Sequence, residues 1–220
     1  PIWHYEVEDL LVLKNNKGTE DNRVRHMDYG IQFNKLMYER LLTSGDITLF
    51  SPHDVPGLFD AFFNDGDKFK ELYEAAEKDN SIRKKTIRAS ELFAMFMEER
   101  KNTGRVYLMN VDHANTHGSF IETEAPVRQS NLCCEINLPT KPLNDVNDPD
   151  GEISLCTLSA INWGNIKSPE DLEKPCTLAV RALDALLDYQ DYPVKAAEMS
   201  TMKRRPLGIG IINFAYWLAK

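Results

Sequence analysis

The sequence lacks several features that would place it in a special class of protein. No apolar run approaches the ~20 residues of a transmembrane helix, so we do not expect a membrane-spanning protein. Only four cysteines occur in 220 residues and none forms a C-x-x-C pair, which argues against a disulfide scaffold and a zinc site. The sequence opens without a signal-peptide pattern. The default expectation is therefore a reducing, cytosolic setting.

Positive charge is also scarce. The chain has 26 basic and 34 acidic residues, a net charge of −8 and a pI near 5.2. It therefore offers no general basic surface for nucleic acid. The chain starts at Pro1 without an initiator methionine and stops at Lys220 without a helix-ending glycine or proline, so we expect an internal segment of a longer polypeptide.

The hydrophobic periodicity predicts alternating helices and strands, which is typical of α/β proteins. A Pro- and Gly-containing turn is expected at 51–57, and a polar surface loop is expected at 139–151. Ser168 and Pro169, followed by two acids, mark a strong helix start. Predicted helices cover 2–13, 31–43, 58–79 with a break at 64–66, 82–102, 168–189 and 214–219; predicted strands cover 46–50, 105–111 and 152–158; 112–125 is predicted as a loop and 206–212 as the entry to the last helix.

The most reactive stretch is Ser130-Asn-Leu-Cys-Cys-Glu-Ile136, which brings an amide, two thiols and a carboxylate close together in sequence. If the segment 127–138 is extended, side chains alternate between its two faces. Asn131, Cys133 and Glu135 then share one face, and Leu132, Cys134 and Ile136 share the other.

The chemistry of these groups suggests a different role for each. Glu135 is placed to accept a proton from a substrate hydroxyl, and the Asn131 amide can hydrogen bond the same substrate. Glu135 would also disfavour a thiolate at Cys133, because a nearby negative charge raises a thiol pKa. This favours a neutral thiol that exchanges a hydrogen atom. The alternative is that both cysteines are small, inert packing residues.

Six motifs in a fixed order resemble the large, catalytic subunit of class I ribonucleoside-diphosphate reductase, and the similarity runs from residue 1 to residue 220. They are Arg23-Val-Arg-His-Met-Asp-Tyr-Gly30, Ser130-Asn-Leu-Cys-Cys-Glu135, Leu138-Pro-Thr-Lys-Pro-Leu143, Leu155-Cys-Thr-Leu-Ser-Ala160, Ala182-Leu-Asp-Ala-Leu-Leu-Asp188 and Leu207-Gly-Ile-Gly-Ile-Ile-Asn213.

The resemblance implies a ten-stranded α/β barrel built of two half-barrels, with a central finger loop that carries the radical cysteine. Residues 1–125 would end the first half-barrel, 126–140 would form the finger loop, and 141–220 would start the second half-barrel. Cys133 would then lie at the dry centre of the barrel.

Residue roles follow from the same resemblance. Cys133 matches the thiol that becomes a transient thiyl radical, Glu135 the base for the 3′ hydroxyl, and Asn131 the amide beside it. Cys156 matches one thiol of a redox disulfide whose partner lies upstream of this chain. Leu132 and Cys134 complete the substrate-binding loop. Cys134 replaces a residue that is usually apolar and should face away from substrate.

Partners are implied as well. The resemblance implies a ribonucleoside diphosphate substrate, the remaining parts of the large subunit, and thioredoxin or glutaredoxin as reductant. It implies no metal or cofactor on this segment, because the radical comes from the metal centre of the small subunit. ATP and deoxynucleotide effectors would bind outside the segment. Neither a membrane nor a nucleic acid is expected as a direct partner.

Two other readings stay open. The chain could be an inert structural or assembly segment that needs its complementary pieces. It could instead be a thiol hydrolase that pairs Cys133 with His113 or His117. These histidines are four residues apart and would share a face if helical, as in a metal site, but a polar loop without a third ligand is the expectation.

Overall fold

A computed structural model describes residues 1–220 as a mixed α/β protein. The chain divides into two compact units, Pro1–Pro139 and Thr140–Lys220. The six strands pair as three two-stranded sheets, so no barrel closes within these residues. No helix combines the length and the apolar character needed to cross a membrane.

The first unit contains six α-helices and four strands. Strands β1 and β4 are parallel, with Tyr29 opposite Val106 and Phe33 opposite Asn110, whereas β2 and β3 are antiparallel. The helices are α1 (Val7–Leu11), α2 (Lys35–Leu42), α3 (Leu58–Asn64), α4 (Gly66–Lys78), α5 (Ala89–Thr103) and α6 (Val111–Thr116), and the strands are β1 (Tyr29–Phe33), β2 (Asp46–Phe50), β3 (Lys84–Arg88) and β4 (Val106–Asn110); Val12–Lys14 and Glu20–Asn22 form 3-10 turns.

Local sequence signals account for several of these boundaries. Asn34 and Asp65 cap α2 and α4, because their side chains accept hydrogen bonds from the backbone N–H groups of the first helical turn. Gly104 ends α5 in a left-handed conformation with φ of 66°, which glycine adopts without steric cost.

An aromatic cluster fills the core of the first unit. Trp3, Phe62 and Phe69 are all at most 1% exposed, and their rings lie 5.3–5.8 Å apart, centroid to centroid. The buried Tyr73 hydroxyl donates to the Thr48 carbonyl and accepts from the Thr48 N–H, so its polar end is satisfied inside the core.

The second unit is built around one parallel pair of strands. Thr157 lies opposite Leu207 and Asn162 opposite Ile212. The Ser168 side chain and the Asp171 carboxylate form a capping box at the 3-10 turn that leads into α7. The strands are β5 (Thr157–Asn162) and β6 (Leu207–Ile212), the helices are α7 (Glu173–Tyr189), α8 (Lys195–Arg204) and α9 (Phe214–Ala219), and Trp163–Asn165 and Pro169–Leu172 are 3-10 turns.

Much of the predicted order is confirmed. The strand at 46–50, the helix break at 64–66, the stop at Gly104, the strand after it, and the helices toward Tyr189 and Ala219 all occur.

Other predictions are wrong, and most of these errors involve strands. Ile31 lies in β1 and Ile87 in β3, although their spacing suggested helices; pairing with β4 and β2 overrides that local preference. The predicted helix 2–13 is limited to 7–11 and a 3-10 turn, and the predicted loop 112–125 includes most of α6. The strand expected at 152–158 lies at 157–162, the segment 206–212 contains a strand, and α8 was not predicted.

Candidate active site

The segment that carries Cys133 is anchored at its start by a buried asparagine. Asn115, 5% exposed in α6, donates to the Val127 carbonyl at 3.0 Å and accepts from the Val127 N–H at 2.7 Å. Gln32 of β1 donates to the Arg128 carbonyl at 2.9 Å. Both backbone groups of Val127 are therefore fixed by a side chain from the first unit's interior.

The segment then turns, so the prediction that all of 127–138 is extended is wrong. Residues 131–134 form a turn, closed by a hydrogen bond of 3.0 Å from the Cys134 N–H to the Asn131 carbonyl. Cys134 has φ of 63°, a left-handed value that allows the chain to reverse here. The Ser130 hydroxyl spans the turn and donates to the Ile136 carbonyl at 2.7 Å.

The turn brings together the amide and the carboxylate that the sequence singled out. The Asn131 amide nitrogen donates to Glu135 Oε1 at 2.7 Å, and the Asn131 amide oxygen accepts from the Ile136 N–H at 3.0 Å. Asn131 thus orients the Glu135 carboxylate, which can act only as an acceptor when ionised. Both residues are exposed, together with Cys133 at the tip of the turn.

The two adjacent cysteines have different surroundings. Cys133 is exposed and hydrogen bonds Tyr107 of β4, and this bond raises the pKa of the tyrosine. Cys134 is half-buried against the aromatic core, and burial, reinforced by the Glu135 charge, raises the pKa of its thiol. A side chain on Gly30 would reach within 3.2 Å of the Cys134 sulfur. Since Gly30 lies opposite Tyr107 in the sheet, one β1–β4 pair supports both cysteines.

Cys133 is exposed within residues 1–220. The dry barrel interior expected around this sulfur is not formed by residues 1–220. Asn131, Leu132 and Cys134 line a cleft of about 370 Å³ that extends toward Asp28 and Gln32, whereas Cys133 and Glu135 do not line it. This volume is in the range of small-molecule sites.

His113 and His117 lie at a different cleft. His113 lies in α6 and His117 directly follows it, on the same face, although a loop was expected here. Their ring centroids are 4.8 Å apart. They line a cleft of about 280 Å³ together with Cys134, but not with Cys133. No group of three or more potential metal-ligating side chains forms within residues 1–220.

The fourth predicted site residue belongs to the second unit. Cys156 lies one residue before β5 and is partly buried. Its sulfur lies against the backbone of β6, where a Cβ on Gly208 would be 3.0 Å away. Cys176 lies in α7 and is partly buried.

Sequence reasoning missed the residues that support the reactive turn: Gln32, Gly30, Tyr107 and Asn115. One of them left a signal, because asparagine is unfavourable inside helices and its presence in a short helix suggests a specific hydrogen bond. The others act from distant strands and carry no local pattern.

Comparison with known proteins shows the family of this chain. The family model described as "Ribonucleotide reductase, barrel domain" matches residues 1–220. The chain therefore belongs to the ribonucleotide reductase barrel-domain family. Over all 220 residues it is 69% identical to the ribonucleoside-diphosphate reductase 1 subunit alpha of Salmonella typhimurium, 67% identical to that of Escherichia coli and 65% identical to the subunit alpha of Haemophilus influenzae. The chain spans 29% of the length of each of these relatives.

Proposed function

We propose that this chain is the catalytic-core segment of a polypeptide that reduces ribonucleoside diphosphates to 2′-deoxyribonucleoside diphosphates. The observation that carries the proposal is the 2.7 Å hydrogen bond between Asn131 and Glu135 across the turn that presents Cys133. It joins a proton acceptor and an orienting amide at the turn that presents a thiol, and this supports the proposal for a member of the ribonucleotide reductase barrel-domain family.

In the proposed reaction, Cys133 as a thiyl radical takes the 3′ hydrogen atom of the ribose. Glu135 accepts the proton of the 3′ hydroxyl, and Asn131 holds that hydroxyl in place. The 2′ hydroxyl leaves with a proton as water. Cys156 and a second cysteine outside this chain supply two electrons and two protons and become a disulfide. Cys133 then returns its hydrogen atom to the 3′ carbon, so the net products are the deoxynucleotide, the disulfide and water.

The exposed Cys133 indicates what else the reaction needs. A thiyl radical in contact with water and oxidants would be lost, so further parts of the polypeptide must cover the turn. We propose that they complete the ten-stranded barrel around it, with 126–140 as the finger loop between the two half-barrels.

The partners follow from the same proposal. A small subunit carries the metal centre that generates the radical, and thioredoxin or glutaredoxin reduces the disulfide. ATP and deoxynucleotide effectors bind elsewhere on the large subunit. We place the whole assembly in the cytoplasm.

The test is nucleotide reduction by the complete polypeptide together with its small subunit and a thioredoxin system. Cys133→Ser should abolish deoxynucleotide formation, because a hydroxyl is a far poorer hydrogen-atom carrier than a thiol. Cys176→Ser is the matched control, since it makes the same change at a thiol of α7 outside the site, and it should retain activity. Activity in Cys133→Ser, in protein whose circular dichroism matches wild type, would overturn the assignment.

A second candidate is that the chain by itself is only an assembly segment. Large hydrophobic side chains remain exposed in the second unit, including Leu178 at 67% and Tyr189 at 88%. Surfaces of this kind are typical of protein that packs against further protein. Reduction by the isolated 220-residue chain would contradict this view. The thiol-hydrolase reading is disfavoured, because the histidines share a cleft with Cys134 instead of Cys133.

A further inference from the structure

We propose that Gly208 of β6 is a positioning residue for Cys156: its missing side chain provides the space in which the Cys156 sulfur lies. This inference rests on the proposed function, in which Cys156 cycles between thiol and disulfide.

The space is defined by distances within the second unit. A Cβ on Gly208 would lie 3.0 Å from the Cys156 sulfur and 2.6 Å from Leu158 Cδ2. Both distances are shorter than van der Waals contact, so both neighbours would have to move. Glycine in a strand often marks such a close approach. The φ angle of Gly208 is not in the left-handed region, so backbone strain does not explain glycine here.

The two neighbours differ in how easily they can move. The Leu158 side chain is 69% exposed, and its terminal methyl can rotate into solvent. Cys156 is partly buried and holds its sulfur against the strand backbone. A methyl group on residue 208 would therefore act mainly on the sulfur, and would cover it or turn it from its rotamer.

The same strand contains a matched control. Gly210 lies on the same face, two residues further on, and a Cβ there would be 3.7 Å from the Ser159 carbonyl oxygen and 3.9 Å from Ala160 Cβ. Both are ordinary contacts. Gly210→Ala thus changes backbone freedom and strand propensity in the same way as Gly208→Ala, without approaching a thiol.

The sulfur's direction matters for disulfide chemistry. Disulfide formation and reduction proceed by attack of a thiolate on one sulfur, so they depend on open access to that sulfur. A disulfide also requires a restricted separation and dihedral angle of the two cysteines. Displacing Cys156 from its rotamer would impair both steps while the strand itself stays paired.

The experiment compares Gly208→Ala and Gly210→Ala in the complete polypeptide. The rate of Cys156 alkylation by N-ethylmaleimide is resolved by mass spectrometry, with Cys176 as the internal reference. Because an off-rotamer side chain is disfavoured by a factor of roughly 3 to 10, we expect Gly208→Ala to slow Cys156 alkylation by about three- to tenfold. Gly210→Ala should stay within about twofold of wild type, and Cys176 should react equally in all proteins.

A second pair of variants distinguishes the contact of residue 208 with the Cys156 sulfur from its contact with Leu158. Leu158→Ala removes the closer contact, so the double variant Gly208→Ala/Leu158→Ala folds even if the single variant does not. The double variant should still slow Cys156 alkylation relative to Leu158→Ala. Equal alkylation rates in the two, or equal effects of Gly208→Ala and Gly210→Ala, would overturn the proposal.

Nucleotide reduction is measured in parallel and tests a different claim. If the proposed function holds, Gly208→Ala also lowers thioredoxin-dependent turnover, whereas Gly210→Ala does not. If wild type reduces no nucleotide, the proposed function fails, while the alkylation rates still decide the role of Gly208. If turnover falls in Gly208→Ala with Cys156 alkylation unchanged, the positioning role is wrong and the function stands.

Discussion

The two units of this protein differ in how much of their structure they stabilise themselves. The first unit buries a continuous aromatic core, in which Trp3, Phe50 and Phe69 are fully inaccessible. The second buries few large apolar side chains, mainly Leu183 and Leu187 of α7, and leaves many others exposed. The first unit can therefore hold its reactive turn with its own packing. The second positions Cys156 next to a two-stranded sheet that few buried apolar side chains support.

The largest expected difference is in the free energy of unfolding lost when a large apolar side chain is removed from each unit. Phe62→Ala removes a buried ring that contacts three other aromatic rings, so it should lower the free energy of unfolding of the first unit by about 3–5 kcal/mol. Phe214→Ala removes a ring that is 45% exposed in the second unit and should cost about 1 kcal/mol or less. Urea unfolding followed by amide hydrogen exchange checks both. Equal losses would refute the contrast between the units.

A smaller effect is expected at the anchor of the reactive turn. Asn115→Ala leaves both backbone groups of Val127 without their partner, which should cost about 1–3 kcal/mol. It should also accelerate hydrogen exchange at the Val127 amide. Thr116→Ala, which alters an exposed neighbour on the same helix, is the control and should change little. Unchanged exchange at Val127 in Asn115→Ala would show that the turn is held by other contacts.

The second unit should respond to acid through Asp148. Backbone N–H groups of Asn144 and Asp150 donate to this carboxylate and lower its pKa. A carboxyl with a lowered folded-state pKa stabilises the fold above the unfolded value of about 3.9, and this stabilisation is lost as pH falls through the folded pKa.

Asp148→Asn should therefore speed hydrogen exchange in the loop 140–151 at neutral pH, and the difference from wild type should shrink as the pH falls below about 4. Loop hydrogen exchange measured against pH checks this, with the exposed Asp150→Asn as control. A difference that persists undiminished at the acidic end would assign the effect to packing instead of charge.

The smallest effect is expected at the backbone of Cys134. Cys134→Gly removes the steric cost of the left-handed conformation but also removes the packing of the thiol. It should therefore change the free energy of unfolding by about 1 kcal/mol or less. Cys134→Val places a β-branched residue at φ of 63° and should be more destabilising than Cys134→Gly. Thermal unfolding ranks the two variants. The reverse order would mean that packing, and not backbone strain, dominates at this position.

The sequence predicted elements that are specified locally. Ser168, Pro169 and the two acids that follow them identify the start of the helix that runs toward Tyr189, and Gly104 identifies the end of α5. Prediction from the sequence failed where pairing with a distant strand decides the local structure. Ile31 and Ile87 lie at helical spacing from later apolar residues, yet both are strand residues because β4 and β2 supply their hydrogen bonds.

The candidate site divides in the same way. Asn131, Cys133 and Glu135 were found from their chemistry, because three reactive groups within five residues are visible in the sequence. Their geometry was not found, since it depends on the left-handed Cys134, a conformation that cysteine seldom adopts. Tyr107 and Gly208 come from strands far away in the chain, so only tertiary structure reveals their contacts with Cys133 and Cys156.

In the proposed function, Cys133 carries the 3′ hydrogen atom of a ribonucleotide. Competition between 3′-deuterated and unlabelled substrate, in the complete enzyme with its small subunit, tests this most directly. If Cys133 carries this hydrogen atom, the unlabelled nucleotide is consumed faster and Cys133→Ser consumes neither. Equal consumption of both substrates, or turnover in Cys133→Ser, would contradict it.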